Sequence, residues 1–228
     1  PVSIEKIGGY AFHSCKIQSL DLSNCVKLKS IERSSFLENK IKQLKLPKNI
    51  EIIDNFAFSN NQIEILDLSN CINLKYIGGF AFQENQIKQL KLPSNIELID
   101  YNTFANNKIE ILDLSNCIKL ENIEKYAFSE NQIKHLKLPK NIKKIEWSAF
   151  EDNQIEILDL FNYIKLKYIR GFAFSGNPLN EIKILNDINI EYAKNFYLIK
   201  DPWNNFSKYY DKNKKKSGNY KYIDNEWQ

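Results

Sequence analysis

The 228 residues contain no methionine, two histidines, seven glycines and four cysteines. Each shortage excludes something. His13 and His135 are too few and too far apart for a histidine pair. No G-x-x-x-x-G-K, G-x-G-x-x-G or H-E-x-x-H motif occurs, so the phosphate-cradling and zinc-protease signatures are missing. No run of 18 apolar residues is present, so no segment reads as a membrane span. The formal net charge is only +4, and residues 196–228 contribute +3 of it (seven Lys against four acids). A small, tail-borne excess is not the footprint of a nucleic-acid binder. The missing Met and a start at Pro1 in mid-pattern read as a piece of a longer product. The absence of a leader or anchor therefore says nothing about secretion.

What is present is a period. Leu-x-Leu recurs at 20–22, 44–46, 66–68, 90–92, 112–114, 136–138 and 158–160, and as Ile-x-Ile at 182–184. The spacings alternate between 24 and 22, so the unit is a 46-residue double repeat. An Ile or Leu stands three residues before each signature, from Ile17 to Leu179. Three residues after it stands Cys25, Asn49, Cys71, Asn95, Cys117, Asn141, Tyr163 or Asp187. The result is L-x-x-L-x-L-x-x-N/C, the leucine-rich-repeat pattern.

Alternation in x-L-x-L-x gives a short strand with one apolar face. A single unit cannot bury that face, so units stack into a parallel sheet. The expected fold is an α/β leucine-rich-repeat solenoid over 1–195. It has its parallel sheet on the concave side, short 3₁₀ or irregular turns on the convex side, and a capping β-hairpin over 196–228. A phenylalanine column fills the core behind the sheet: Phe12, Phe36, Phe58, Phe82, Phe104, Phe128, Phe150 and Phe174. An asparagine column, Asn39 to Asn177, precedes each strand and suits turn capping. After Asp201-Pro202-Trp203 the pattern breaks, and an aromatic-rich stretch flanks the turn at 216–218.

Three features resemble the BspA-like, or treponemal-type, leucine-rich-repeat family. They are Ile-Gly-Gly-Phe-Ala-Phe at 77–82, Leu-Lys-Leu-Pro-x-Asn at 44–49, 90–95 and 136–141, and Cys15 after Ala11-Phe12. The tail at 208–222, ending near Trp227, looks like the hairpin that closes some bacterial members. The resemblance implies a secreted or surface-displayed protein that adheres to a host or partner protein, with no catalysis and no cofactor. The sequence departs from the family in its Asn column, where Cys is commoner, and in its two-repeat alternation.

Two nucleophile arrangements can be drawn, His13 with Cys15 and His135 with Asp113 and Ser115, but neither has an evident orienting group or pocket. Cys25, Cys71 and Cys117 are two turns apart, about 9.6 Å by strand spacing. That is beyond disulfide reach, and the three read as buried structural thiols; all four cysteines are expected to react slowly with thiol reagents until the protein is denatured.

The outward strand residues are the informative ones. One column reads Asp21, Lys45, Asp67, Lys91, Asp113, Lys137, Asp159, Lys183, with opposite charges expected to pair from turn to turn. Another carries Ile65, Ile111, His135 and Ile157 outward. Near the C-terminal end Ser gives way to Phe161, Cys to Tyr163 and Pro to Leu185. These apolar residues either pack on the C-terminal cap or form a partner-binding patch. The candidate partner-binding set is Ile65, Ile111, Asp113, His135, Lys137, Ile157, Asp159 and Phe161. The functional expectation is a protein-binding or adhesion module. The alternative is a structural stalk that displays another domain.

Overall fold

A computed structural model describes residues 2–191 and 201–228. Among these, eight short strands carry the repeating signature: Ser19–Asp21, Gln43–Lys45, Ile65–Asp67, Gln89–Lys91, Ile111–Asp113, His135–Lys137, Ile157–Asp159 and Glu181–Ile184. They are joined as a coil of parallel strands. The boundary expected at 195/196 lies outside the described residues.

The 46-residue unit has a structural counterpart. Strands separated by 24 residues form parallel ladders, with Asp21 opposite Lys45, Asp67 opposite Lys91, Asp113 opposite Lys137 and Asp159 opposite Lys183. Across the 22-residue steps the ladder lapses. There a single bond enters each step, such as Gln62 N–H to Ile41 O at 3.0 Å or Gln154 N–H to Ile133 O at 3.0 Å. The strand face is thus divided by seams, one per double repeat. Asp and Lys strands also end differently. In the Asp strands the carboxylate accepts from the backbone two residues on, as Ser23 N–H to Asp21 Oδ1 at 3.0 Å. In the Lys strands that position is Pro47, Pro93 or Pro139, which has no N–H to cap and a fixed φ. Seams also show in burial: Leu66, Leu112 and Leu158 are buried, whereas Leu44, Leu90 and Leu136 are half-buried.

A second parallel ribbon runs behind the turns and was not anticipated. Two-residue strands from Lys6–Ile7 to Leu98–Ile99 form one sheet, and strands from Asn122–Ile123 to Asn189–Ile190 form another. Its core positions are Ile31, Ile53, Ile77, Ile99, Ile123, Ile145 and Ile169, all fully buried.

The phenylalanine column is a continuous stack. Neighbouring rings lie from 5.1 Å apart at Phe12–Phe36 to 5.8 Å at Phe128–Phe150. The asparagine column sews successive turns together. Asn131 accepts the Ile109 N–H at 3.1 Å and donates to Phe104 O at 2.9 Å, both on the preceding turn. Asn107 and Asn153 repeat this arrangement. Irregular turns complete each coil and hold two left-handed residues apiece, such as Phe80 (φ 61°) and Glu84 (φ 53°).

The C-terminal cap contains the expected hairpin, Gly218–Ile223 with Glu226–Trp227, and also a helix, Pro202–Lys212, that was not expected. The helix follows from its residues. Asp201 Oδ1 accepts Trp203 N–H at 3.0 Å as N-cap, and Pro202 sits in the first turn, where no donor is needed. Trp203, Phe206 and Tyr210 fall on one helical face and are fully buried. Trp203 meets Phe174 edge-on at 5.0 Å and ends the ring stack. The strand Gly218–Ile223 pairs antiparallel with Glu181–Ile184, which covers the last sheet edge.

Candidate functional site

The outward strand positions are held rigidly from below, because each inward Leu or Ile locks its strand to the core. In the strand Ile111–Asp113, Leu112 is the buried anchor, and Ile111 and Asp113 are thrown outward. Ile65, Ile111 and Ile157 stand 58%, 63% and 54% exposed. Phe161, just past its strand, is 45% exposed. Ile157 and Phe161 are therefore not covered by the cap, whereas Leu185 is half-buried against the core.

The charge column pairs off, but only within a double repeat. Lys45 reaches Asp21 at 3.4 Å, Lys91 reaches Asp67 at 3.5 Å, Lys137 reaches Asp113 at 3.3 Å and Lys183 reaches Asp159 at 3.7 Å. The ion pairs skip the seams, which corrects the expected pairing at every turn. Beneath them each Asp has a second duty. Ser23, Ser69 and Ser115 hydroxyls donate to Asp21, Asp67 and Asp113 at 2.6, 2.5 and 2.5 Å. These hydroxyl bonds, more than the neighbouring lysines, hold the three carboxyls below their ordinary pKa.

The third seam opens into a cleft of about 460 Å³ between His135–Lys137 and Ile157–Asp159. Leu136 lines it from below, His135 and Ile157 face each other across it, and Lys134, Lys137, Glu156 and Asp159 bring both signs of charge to its walls. Four of the expected residues, His135, Lys137, Ile157 and Asp159, are thus gathered at one place. Ile111 and Asp113 lie on the adjoining strand, opposite His135 and Lys137 in register. Ile65 belongs to an earlier ladder, opposite Gln89, and is remote from the cleft. Phe161 is outside its lining. Sequence reading missed Lys134, Leu136, Gln154 and Glu156. The alternation of 22 and 24 was the available signal, since it marks two kinds of step between strands, though not which of them separates. At one end of this seam Tyr163 replaces the cysteine of earlier repeats, and its hydroxyl accepts Leu138 N–H at 3.0 Å. Burial pushes the Tyr163 phenol upward in pKa.

Neither nucleophile arrangement is assembled. The Cys15 thiol donates to the carbonyl of His13, at 3.5 Å, not to its imidazole. The Ser115 hydroxyl is bound to Asp113, whose other oxygen faces Lys137. Cys25, Cys71 and Cys117 are buried, and burial drives the Cys71 and Cys117 thiols up to about 11. Cys15 is exposed, contrary to the expectation that all thiols are shielded. Among the described residues no group of three or more His, Cys, Asp or Glu is placed to hold a metal ion. No helix among them is long and apolar enough to cross a membrane.

A family model for the BspA-type leucine-rich-repeat region matches in six copies, over residues 1–110 and 104–201. The chain belongs to this BspA-type leucine-rich-repeat family. It is accordingly a repeat-built interaction module, with the extended surface that stacked repeats provide. No curated protein matches the sequence. Among solved structures, the pneumococcal vaccine antigen PcpA is similar at 24% identity and TM-score 0.50, over 72% of this chain and 50% of that one. The functional domain of InlJ from Listeria monocytogenes, which includes a cysteine ladder, is similar at 16% identity and TM-score 0.54, over 79% of this chain and 42% of that one. A leucine-rich-repeat protein from Bacteroides ovatus matches at 17% identity and TM-score 0.47, over 88% and 63%. The chain thus spans about half the length of the PcpA and InlJ structures, and the likeness is one of fold.

Proposed function

We propose that this BspA-type chain is a protein-binding module of a bacterial surface or secreted protein, and that it engages its partner at the third seam of the strand face. The observation that carries this is the cleft between His135 and Ile157. It combines an exposed aliphatic side chain, a half-buried leucine floor and charges of both signs, with Lys137 and Asp159 each paired to a strand on its own side of the seam and not to each other across it. Binding energy at protein interfaces concentrates in a few desolvated anchors ringed by polar groups. Ile157 is the anchor; Lys137 and Asp159 orient the partner more than they hold it. The family, and a pneumococcal antigen among the similar structures, support display at the cell surface and adhesion to a host protein.

The test uses the intact chain immobilised on beads and exposed to serum and to epithelial-cell surface extract. Partner capture is expected from the wild type, and loss of capture of more than tenfold from the double variant His135→Glu with Ile157→Asp. Both positions are exposed, so the melting curve should be unchanged. Capture that survives the double variant removes the cleft from the function. Absence of capture by either form favours the stalk reading instead.

A further inference from the structure

A second surface departs from the repeat, on the side of the coil formed by the second ribbon. In the column after Leu28 and its equivalents, Lys29, Glu51, Lys75 and Glu97 alternate in sign. The phase then shifts. Glu121 is followed by Lys143 and Lys167 on consecutive turns. The earlier double repeats are an internal control: at 46-residue steps Lys143 replaces the acids Glu51 and Glu97, whereas Lys167 restores the lysine of Lys29 and Lys75 after Glu121. Two lysines thus fall on consecutive turns of this column at one place only.

That place is a groove of about 470 Å³. Ile164, 72% exposed, and Tyr168, 48% exposed, form its apolar surface. Lys143, Lys144, Lys165 and Lys167 surround them, and no carboxylate lines it. Lys143 is neutralised by Glu121 at 2.6 Å and Lys144 by Glu146. Lys165 has only the amide oxygen of Asn141, at 2.8 Å, and Lys167 has no ion-pair partner among the described residues. The groove therefore holds two uncompensated ammonium groups beside an exposed aliphatic and an exposed aromatic side chain.

We propose that this groove binds an acidic peptide segment of a partner protein that carries one large apolar side chain. The apolar side chain covers Ile164 and Tyr168, and flanking carboxylates meet Lys165 and Lys167. Two local charges are too few for a polyanion, whose affinity needs many contacts along its backbone. A sulfated polymer or a nucleic acid would also leave Ile164 in water. A single ligand side chain of tryptophan or leucine size fits the volume and buries what is now exposed. This site is independent of the seam cleft.

The test is a ¹H–¹⁵N NMR titration of the full chain with a synthetic peptide in which one tryptophan is flanked on each side by two glutamates. Shifts are expected at 143–144 and 164–168. Binding should weaken at least tenfold when the peptide's tryptophan becomes alanine or its glutamates become glutamine. The same loss is expected in the protein variant Lys165→Glu with Lys167→Glu, and in Ile164→Ser, which alters no charge and keeps the proposal testable if the first variant folds poorly. Shifts scattered over lysines in general, or insensitivity to the tryptophan, would overturn the proposal. So would tighter binding at these residues by heparin or by phosphatidylserine vesicles.

Discussion

Asn131→Ala removes one rivet from the ladder that joins the turns. Its amide is 7% exposed and bonded on both sides. The Ile109 N–H, which it accepts at 3.1 Å, would lose its partner, whereas Phe104 O, to which it donates at 2.9 Å, would keep the Asn107 amide at 3.2 Å. Phe128 O would keep Asn153, which donates to it at 2.9 Å, and Ser129 O would keep the Asn106 N–H at 3.1 Å. One buried group, the Ile109 N–H, is orphaned, so the expected loss is about 1–3 kcal/mol. The half-buried Asn141→Ala, which forfeits two solvent-accessible bonds, to Ile118 O at 2.8 Å and from Lys165 Nζ at 2.8 Å, orphans no buried group and should cost under about 1.5 kcal/mol. Urea unfolding followed by circular dichroism reads the difference. Asn131→Asp refines it. A carboxylate could still accept from Ile109 but would face three carbonyl oxygens without a proton to donate. Its folded-state pKa must therefore rise above the unfolded value. The folded state then binds more protons than the unfolded one, and stability falls as pH rises through that interval. An Asn131→Ala variant within about 0.5 kcal/mol of wild type would refute the ladder, since surface substitutions typically stay in that range.

Thiol titration should find one fast cysteine, Cys15, with Cys25, Cys71 and Cys117 appearing only on denaturation, because burial shields them and raises Cys71 and Cys117 to about 11; three or more fast thiols would contradict the packing. The carboxyl of Asp67 is held low chiefly by the Ser69 hydroxyl, so its contribution to stability is present at neutral pH and lost as pH falls through its folded-state pKa. Ser69→Ala should therefore move the Asp67 titration to higher pH by NMR and move acid unfolding the same way, the shift being small because the group is exposed; an unchanged Asp67 titration would show that the hydroxyl is not its main partner.

The coil was legible because its core positions cannot vary independently. Phe82 touches Phe58 on one side and Phe104 on the other, so each substitution is judged by two neighbours and the column stays pure. The second ribbon was not legible as strands, since a two-residue strand such as Tyr76–Ile77 has no room for alternation. Its trace was the repeated Leu-x-x-Ile of Leu74 and Ile77. The helix was readable and overlooked. Asp201-Pro202 is a start signal, and the intervals from Trp203 to Phe206 to Tyr210 are helical, not alternating. The seams were half-legible. The column of charges gives the order of Asp and Lys but not which gap carries the ladder, and only the 24-residue steps do.

The seams matter because a seamless ladder would have little to offer a partner. Where strands are bridged, outward Asp and Lys neutralise each other and the leucine below is closed off. Where the ladder lapses, Leu44, Leu90 and Leu136 are half-uncovered and the facing side chains have no partner across the gap. The backbone of a double repeat thus leaves a seam in every 46 residues, and at the third seam the side chains line a cleft. At the first two seams the groove faces are glutamine and isoleucine, Gln43 with Ile65 and Gln89 with Ile111. At the third the glutamine has become His135, and the flanking Ser and Cys have become Phe161 and Tyr163. The lysine groove around Ile164 lies on the same two turns. Except at Tyr163, which takes the place of a buried cysteine, both departures are made at outward positions, while Phe150, Leu158 and Leu166 beneath them keep the repeat. Variation concentrated on the outside of two adjacent turns is the pattern expected when a regular scaffold is adapted at one place to recognise something.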